Sequence, residues 1–128
     1  LNNGNWTIEN IYLKSVNNGI EYNGLYEYHQ SYISFIDAIN VNDIGISILG
    51  GTDFSLEQAN FENITETLNI NVNGSVTLKY CIFTNTGRAY ITSNGSNAMH
   101  QPIFSSSEGI TLTGGNWILY IPSFTNMM

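Results

Sequence analysis

A short pattern returns six times along this 128-residue chain: an apolar residue, another three positions on, a third two later, then a small polar residue two beyond. The copies are Ile8/Ile11/Leu13/Ser15, Phe35/Ala38/Asn40/Asn42, Leu56/Ala59/Phe61/Asn63, Leu78/Cys81/Phe83/Asn85, Met99/Pro102/Phe104/Ser106 and Leu119/Pro122/Phe124/Asn126. From one third position to the next, the first step is the longest and the other four are nearly equal. A period of roughly 20–27 residues belongs to stacked supersecondary units that bury their apolar faces against their neighbours, not to a globule closed around one centre.

A second series has the same period. Asn23-Gly24, Gly50-Gly51, Asn73-Gly74, Asn94-Gly95 and Gly114-Gly115 follow each unit's third apolar position. Asn and Gly tolerate the left-handed backbone that a tight corner needs, so every unit is expected to turn there. Between the two markers lie Ile20/Tyr22, Ile46/Ile48, Leu68/Ile70, Tyr90/Thr92 and Ile110/Leu112. Their spacing of two is that of a strand with one face inward, and no helical periodicity competes with it. Two or three short strands per unit, joined by tight turns, describe one coil of a parallel β-helix. The reading is an all-β solenoid, a single domain spanning positions 1–128. It would have about five coils of roughly 20–27 residues each.

Charge placement agrees with that stacking. Glu57 and Lys79 are one period apart, as are Glu66 and Arg88, so each base is expected above a carboxylate of the neighbouring coil. Such exposed pairs contribute little energy and serve as a check on alignment. The small polar positions Asn42, Asn63, Asn85 and Asn126, with Ser15 and Ser106, are expected to form an inward ladder whose amides bond from coil to coil.

Strings such as WTIENIYLKSVNNGI and VTLKYCIFTNTG resemble coils of the right-handed parallel β-helix superfamily, the pectin-lyase-like fold, with its aliphatic stacks and asparagine ladder. The resemblance runs from about Asn5 to Asn126 and implies a right-handed coil. It is specific for architecture only, because that fold serves polysaccharide lyases, hydrolases, phage tail spikes, adhesins and surface-layer proteins alike.

The superfamily's hydrolases use aspartates clustered on adjacent coils with a His and an Arg-x-Lys, since two carboxylates must flank the scissile bond. Here Asp37, Asp43 and Asp53 form no pair in the repeat, His29 and His100 lie outside the matching motifs, and Arg88 is followed by Ala89 and Tyr90. The lyases need an acidic calcium cluster and a basic proton abstractor. Glu57, Glu66, Lys79 and Arg88 are the candidates, and they read as a solvated ion-pair face. The chain is therefore expected to be a non-catalytic surface, adhesin or spike type. A carbohydrate-active β-helix working near Lys79 and Arg88 is the alternative. Two distant histidines and one cysteine give no zinc spacing, no calcium loop occurs, and no cofactor is expected.

The formal charge is −7, with Lys14, Lys79 and Arg88 the only basic residues, which makes nucleic acid and anionic membrane poor partners. No apolar run reaches the length of a membrane span. Only 10% of residues are charged, while Asn, Ser, Thr, Gly and Tyr abound, as on cell-surface and virion proteins. Cys81 occupies an inward position and reads as an inert thiol. Neither terminus shows a polar cap. The ends of the solenoid are thus expected to associate, as a filament or trimer, or to continue in a larger chain.

Two surface features complete the reading. Asn-x-Ser/Thr sequons occur at Asn5, Asn63, Asn73 and Asn94. Asn73 and Asn94 fall at the same exposed corner of successive coils and, with Asn5, are the expected glycan sites, whereas Asn63 belongs to the inward ladder and is expected to be hidden. The longest unit carries NGLYEYHQSY, so Tyr22, Tyr26, Tyr28, His29 and Tyr32 form a candidate binding loop for sugar rings or protein partners.

Overall fold

The computed structural model describes residues 6–23, 30–120 and 123–125. Among them twelve strands follow one another: β1 (Trp6–Lys14), β2 (Ile20–Asn23), β3 (Gln30–Leu49), β4 (Asp53–Asn71), β5 (Val76–Lys79), β6 (Ile82–Thr86), β7 (Ala89–Thr92), β8 (Ser96–His100), β9 (Ile103–Ser105), β10 (Ile110–Thr113), β11 (Asn116–Tyr120) and β12 (Ser123–Thr125). Every pairing between them is parallel, and no helix occurs among the described residues. The chain is a parallel β-solenoid of about five turns.

Each coil has three strand segments. The first face stacks the start of β1 on β3, β4, β5, β8 and β11. The second stacks the end of β1 on the middle of β3 and β4, then on β6, β9 and β12. The third stacks β2, the ends of β3 and β4, β7 and β10. In the second and third coils the strand hydrogen bonding runs unbroken around two corners, which makes β3 and β4 20 and 19 residues long.

The observed register explains the repeat. Third positions pair as Leu13, Ala38, Phe61, Phe83, Phe104 and Phe124, and the step between them shortens with every coil along the rod. The second copy of the pattern is therefore Ile33/Ile36/Ala38/Asn40, two residues before the copy that begins at Phe35. The phase that begins at Phe35 puts Asn40 in the third apolar place, whereas Ile33, Ile36 and Ala38 fill all three, and burial agrees: Ile33 and Ile36 are 0% and 1% exposed, and Phe35 is 53% exposed. The interval of three within the pattern also acquires a cause. Ile8 faces in, Glu9 and Asn10 face out and Ile11 faces in, because Asn10 is a single left-handed residue that turns the corner.

Interior columns run the length of the coil. Phe61, Phe83 and Phe104 stack with ring centroids 5.3 and 4.6 Å apart. Another column begins as Val41 and Ile64 and becomes polar at Thr86 and Ser107, where the Thr86 hydroxyl donates to Ser107 Oγ at 2.8 Å. Asn97 likewise enters the inward column that holds Phe54 and Val76. It accepts from the Val76 amide at 2.8 Å and donates to the Gly95 carbonyl at 3.1 Å. These partners satisfy Thr86, Ser107 and Asn97 inside the coil. Burial pushes the Cys81 thiol up to about 12, consistent with an inert inward cysteine.

The third corner turns where the glycine series placed it, by two routes. Gly50 and Gly51 have φ of 106° and 96°, the left-handed conformation expected. Gly74 does not, and it is required because a methyl group there would collide with the Thr52 carbonyl of the previous coil.

Candidate functional site

Two further corners in each coil are turned by single left-handed residues. One is formed by Ser15, Asn40, Asn63, Asn85 and Ser106, at φ 52–57°. The other lies five residues earlier and is formed by Asn10, Phe35, Gln58, Tyr80 and Gln101, at φ 50–58°.

The later corner carries the asparagine ladder. Asn63 Nδ2 donates to Asn40 Oδ1 at 3.0 Å, and Asn85 Nδ2 donates to Asn63 Oδ1. The ladder is exposed, which corrects the expectation that it faces inward. The left-handed residue is a second successive outward position before the strand turns in again at Val41, Ile64 and Thr86, so its side chain points to solvent and the amides bond along the outside of the rod. Asn42 is not a rung of this ladder. It donates to Asn17 Oδ1 at 3.0 Å in a separate outward pair, as the shifted phase of its coil requires. Asn126 lies outside the described residues.

The sequons divide accordingly. Asn73 and Asn94 are both exposed, and Asn94 Nδ2 donates to Asn73 Oδ1 at 2.8 Å. Asn63 is exposed as well, so it is not hidden as expected. Asn5 lies outside the described residues, as do Tyr26, Tyr28 and His29 of the tyrosine segment. Tyr22 is no surface group: it is 2% exposed, packs its ring 5.7 Å from that of Trp6, and fills the core beneath Ile48. Burial raises its pKa. Tyr32 is a strand residue of β3 whose hydroxyl donates to Glu57 Oε2 at 2.9 Å, and that bond is the main reason its pKa is raised.

Of the two charge pairs, one keeps its register. Lys79 stands beside Glu57 on the first face. Arg88 lies where the coil-to-coil step shortens by one, between the pairs Ile64/Thr86 and Asn69/Tyr90. Its guanidinium donates instead to Thr111 Oγ1 at 3.2 Å. Glu66 has its carboxyl raised, first by burial and then by the charge of Asp43 on the preceding coil. The fold thus brings together two carboxylates that the repeat does not align. Among the described residues, no three His, Cys, Asp or Glu side chains gather as a metal would require, and no helix could cross a membrane.

The earlier corner escaped the sequence pattern. Its residues are the ones just before the second apolar member of each unit, and a spacing of three where strand alternation gives two is the signal that marks them. Along the axis they read Asn, Phe, Gln, Tyr, Gln. Phe35 and Tyr80 are 53% and 48% exposed, and on the adjoining face Tyr12 is 60% exposed in register with Asp37. A groove of about 380 Å³ opens between Asn10, Tyr12, Phe35, Asp37 and Gln58.

No protein family, curated protein or solved structure matches the chain.

Proposed function

We propose that this chain is a structural β-helical rod of the pectin-lyase-like type, extracellular, serving in a cell-surface filament, an adhesin or a virion spike. Its coil is right-handed, as parallel crossovers overwhelmingly are. The observation that carries the reading is the state of the two outermost coils. Among the described residues, Trp6 and Trp117 occupy opposite ends of one inward column, Trp6–Ser31–Phe54–Val76–Asn97–Trp117, and the indole Nε1 of each is buried without a hydrogen-bond partner. Leu119 is 45% exposed at a position where Met99, one coil inward, is 1% exposed. Another layer of β-structure on each end coil would offer the buried indoles acceptors, cover Leu119 and pair the strand edges, whether it comes from a continuing chain or from another copy. The exposed corner of Asn73 and Asn94 is where glycans would sit without touching the core.

Electron microscopy of the natively assembled material tests this. Long filaments, or a continuous rod lengthened by further coils, are the expected result. Compact single particles whose end coils face solvent would overturn it.

A second reading, a carbohydrate-active enzyme, draws on Glu66 and Asp43. Two neighbouring carboxylates with one held protonated to higher pH can act as acid and base. On that reading Glu66→Gln abolishes polysaccharide cleavage, and Arg88→Ala and Lys79→Ala weaken it. A wild-type chain that cleaves no polysaccharide removes it.

A further inference from the structure

The geometry points to a binding site for a neutral, extended glycan along the corner of Asn10, Phe35, Gln58, Tyr80 and Gln101. It is independent of what covers the solenoid ends. The first observation is conformational. A left-handed backbone is disfavoured for residues other than Gly and Asn, and most of all for bulky ones. The neighbouring corner meets the same demand with Asn and Ser, yet Phe35 and Tyr80 sit at φ 56° and 57° with half their surfaces in water. About half of each ring still faces water and the conformation opposes it, so burial alone does not select an aromatic residue at these two positions. Strain held at an exposed position is characteristic of a functional surface.

The second observation is periodic. Amide and aromatic side chains alternate along the axis, one per coil, at about 4.8 Å per step. Aromatic faces therefore recur at every second coil with a carboxamide between. An extended glycan whose alternate rings turn over offers equivalent apolar faces at every second ring, with hydroxyls between them. The aromatic faces of Phe35 and Tyr80 would take the ring C–H surfaces, and Asn10, Gln58 and Gln101 would donate to and accept from the hydroxyls. Tyr12 and Asp37 add a third ring and a carboxylate acceptor at the groove.

The third observation is charge. Glu9, Asp37 and Glu57 flank the strip, against the single ammonium of Lys79, on a chain of net charge −7. A uronate polymer would be repelled, and a neutral glycan would not.

The test is calorimetric titration of the folded chain with cellohexaose, xylohexaose and mannohexaose, and with hexagalacturonate as the charged counterpart. We expect at least one neutral hexasaccharide to bind, at least tenfold more tightly than the uronate. Phe35→Asn and Tyr80→Asn should each weaken binding at least tenfold while raising the melting temperature by a few degrees, because Asn suits the left-handed corner. Tyr90→Ala, which removes an exposed ring from the third face, should leave binding unchanged. Absence of binding to all three neutral sugars, preference for the uronate, or unchanged affinity in the Phe35 and Tyr80 variants would overturn the proposal. A fall in melting temperature in both Asn variants would also overturn it, by giving those rings a structural purpose.

Discussion

Two corners of this solenoid share a backbone and differ in chemistry. Both are turned by one left-handed residue per coil, five residues apart in sequence, each followed by an inward-facing strand position. At one corner Asn40, Asn63 and Asn85 suit that conformation and bond to each other up the rod. At the other, Phe35 and Tyr80 adopt it against their preference and expose their rings. The first corner is what a stable coil selects. The second shows that the fold can carry strain where neighbouring coils hold the backbone in place on both sides. A repeat protein can thus keep one column for stability and release the next for surface chemistry.

The comparison can be broken most severely from beneath. Phe83 lies between Tyr80 and Asn85 in sequence and packs within the stacked column under both corners. Phe83→Ala should cost about 3–5 kcal/mol in chemical denaturation. A much smaller loss would mean that the corners stand without the aromatic column. Next in size is Asn63→Ala, which removes two rungs and a residue suited to positive φ. We expect a loss of about 1–2 kcal/mol. The same exchange at exposed Asn42, whose φ is not positive and which makes one outward bond, should change stability by less.

The third prediction has the opposite sign. Phe35→Asn should stabilise the fold by about 0.5–1 kcal/mol, the relief of left-handed strain. Destabilisation in the same denaturation experiment would show that the corners differ in packing, and not only in side-chain preference.

The smallest effect concerns pH. Burial and Asp43 hold Glu66 above its ordinary value of 4.5. The unfolded chain releases this proton at lower pH than the folded one, so between the two values the folded state holds more protons. Stability is then lost as pH rises from about 4.5 through the folded value, and the loss persists above it. Glu66→Gln should flatten that part of the stability profile. An unchanged slope in the variant would show that another group is responsible.

Much of the architecture was legible because a solenoid writes its period into the chain. Ile36, Ala59, Cys81 and Pro102 occupy one inward column because each coil must refill the same space. Less of the surface was legible. Tyr22 resembled a member of a binding loop and is a core residue, since alternation places it inward with Ile20. Arg88 resembled a partner of Glu66 on the preceding coil, but its guanidinium bonds to Thr111 on the following one.

What the sequence determined by itself was the coil: a regular period, strand alternation, and Asn, Ser and Gly where the backbone must turn. What only the tertiary structure decided was phase and direction. A strand repeats every two residues, so Ile33/Ile36 and Phe35/Ala38 share the spacing of three; only the next residue, Ala38 against Asn40, separates them locally, and the neighbouring coils bury the first pair and expel Phe35. That shift of two residues also moves the ladder from Asn42 to Asn40, and the left-handed turn that carries it points the amides to solvent. Both outcomes depend on contacts between residues a full coil apart, which no local pattern records.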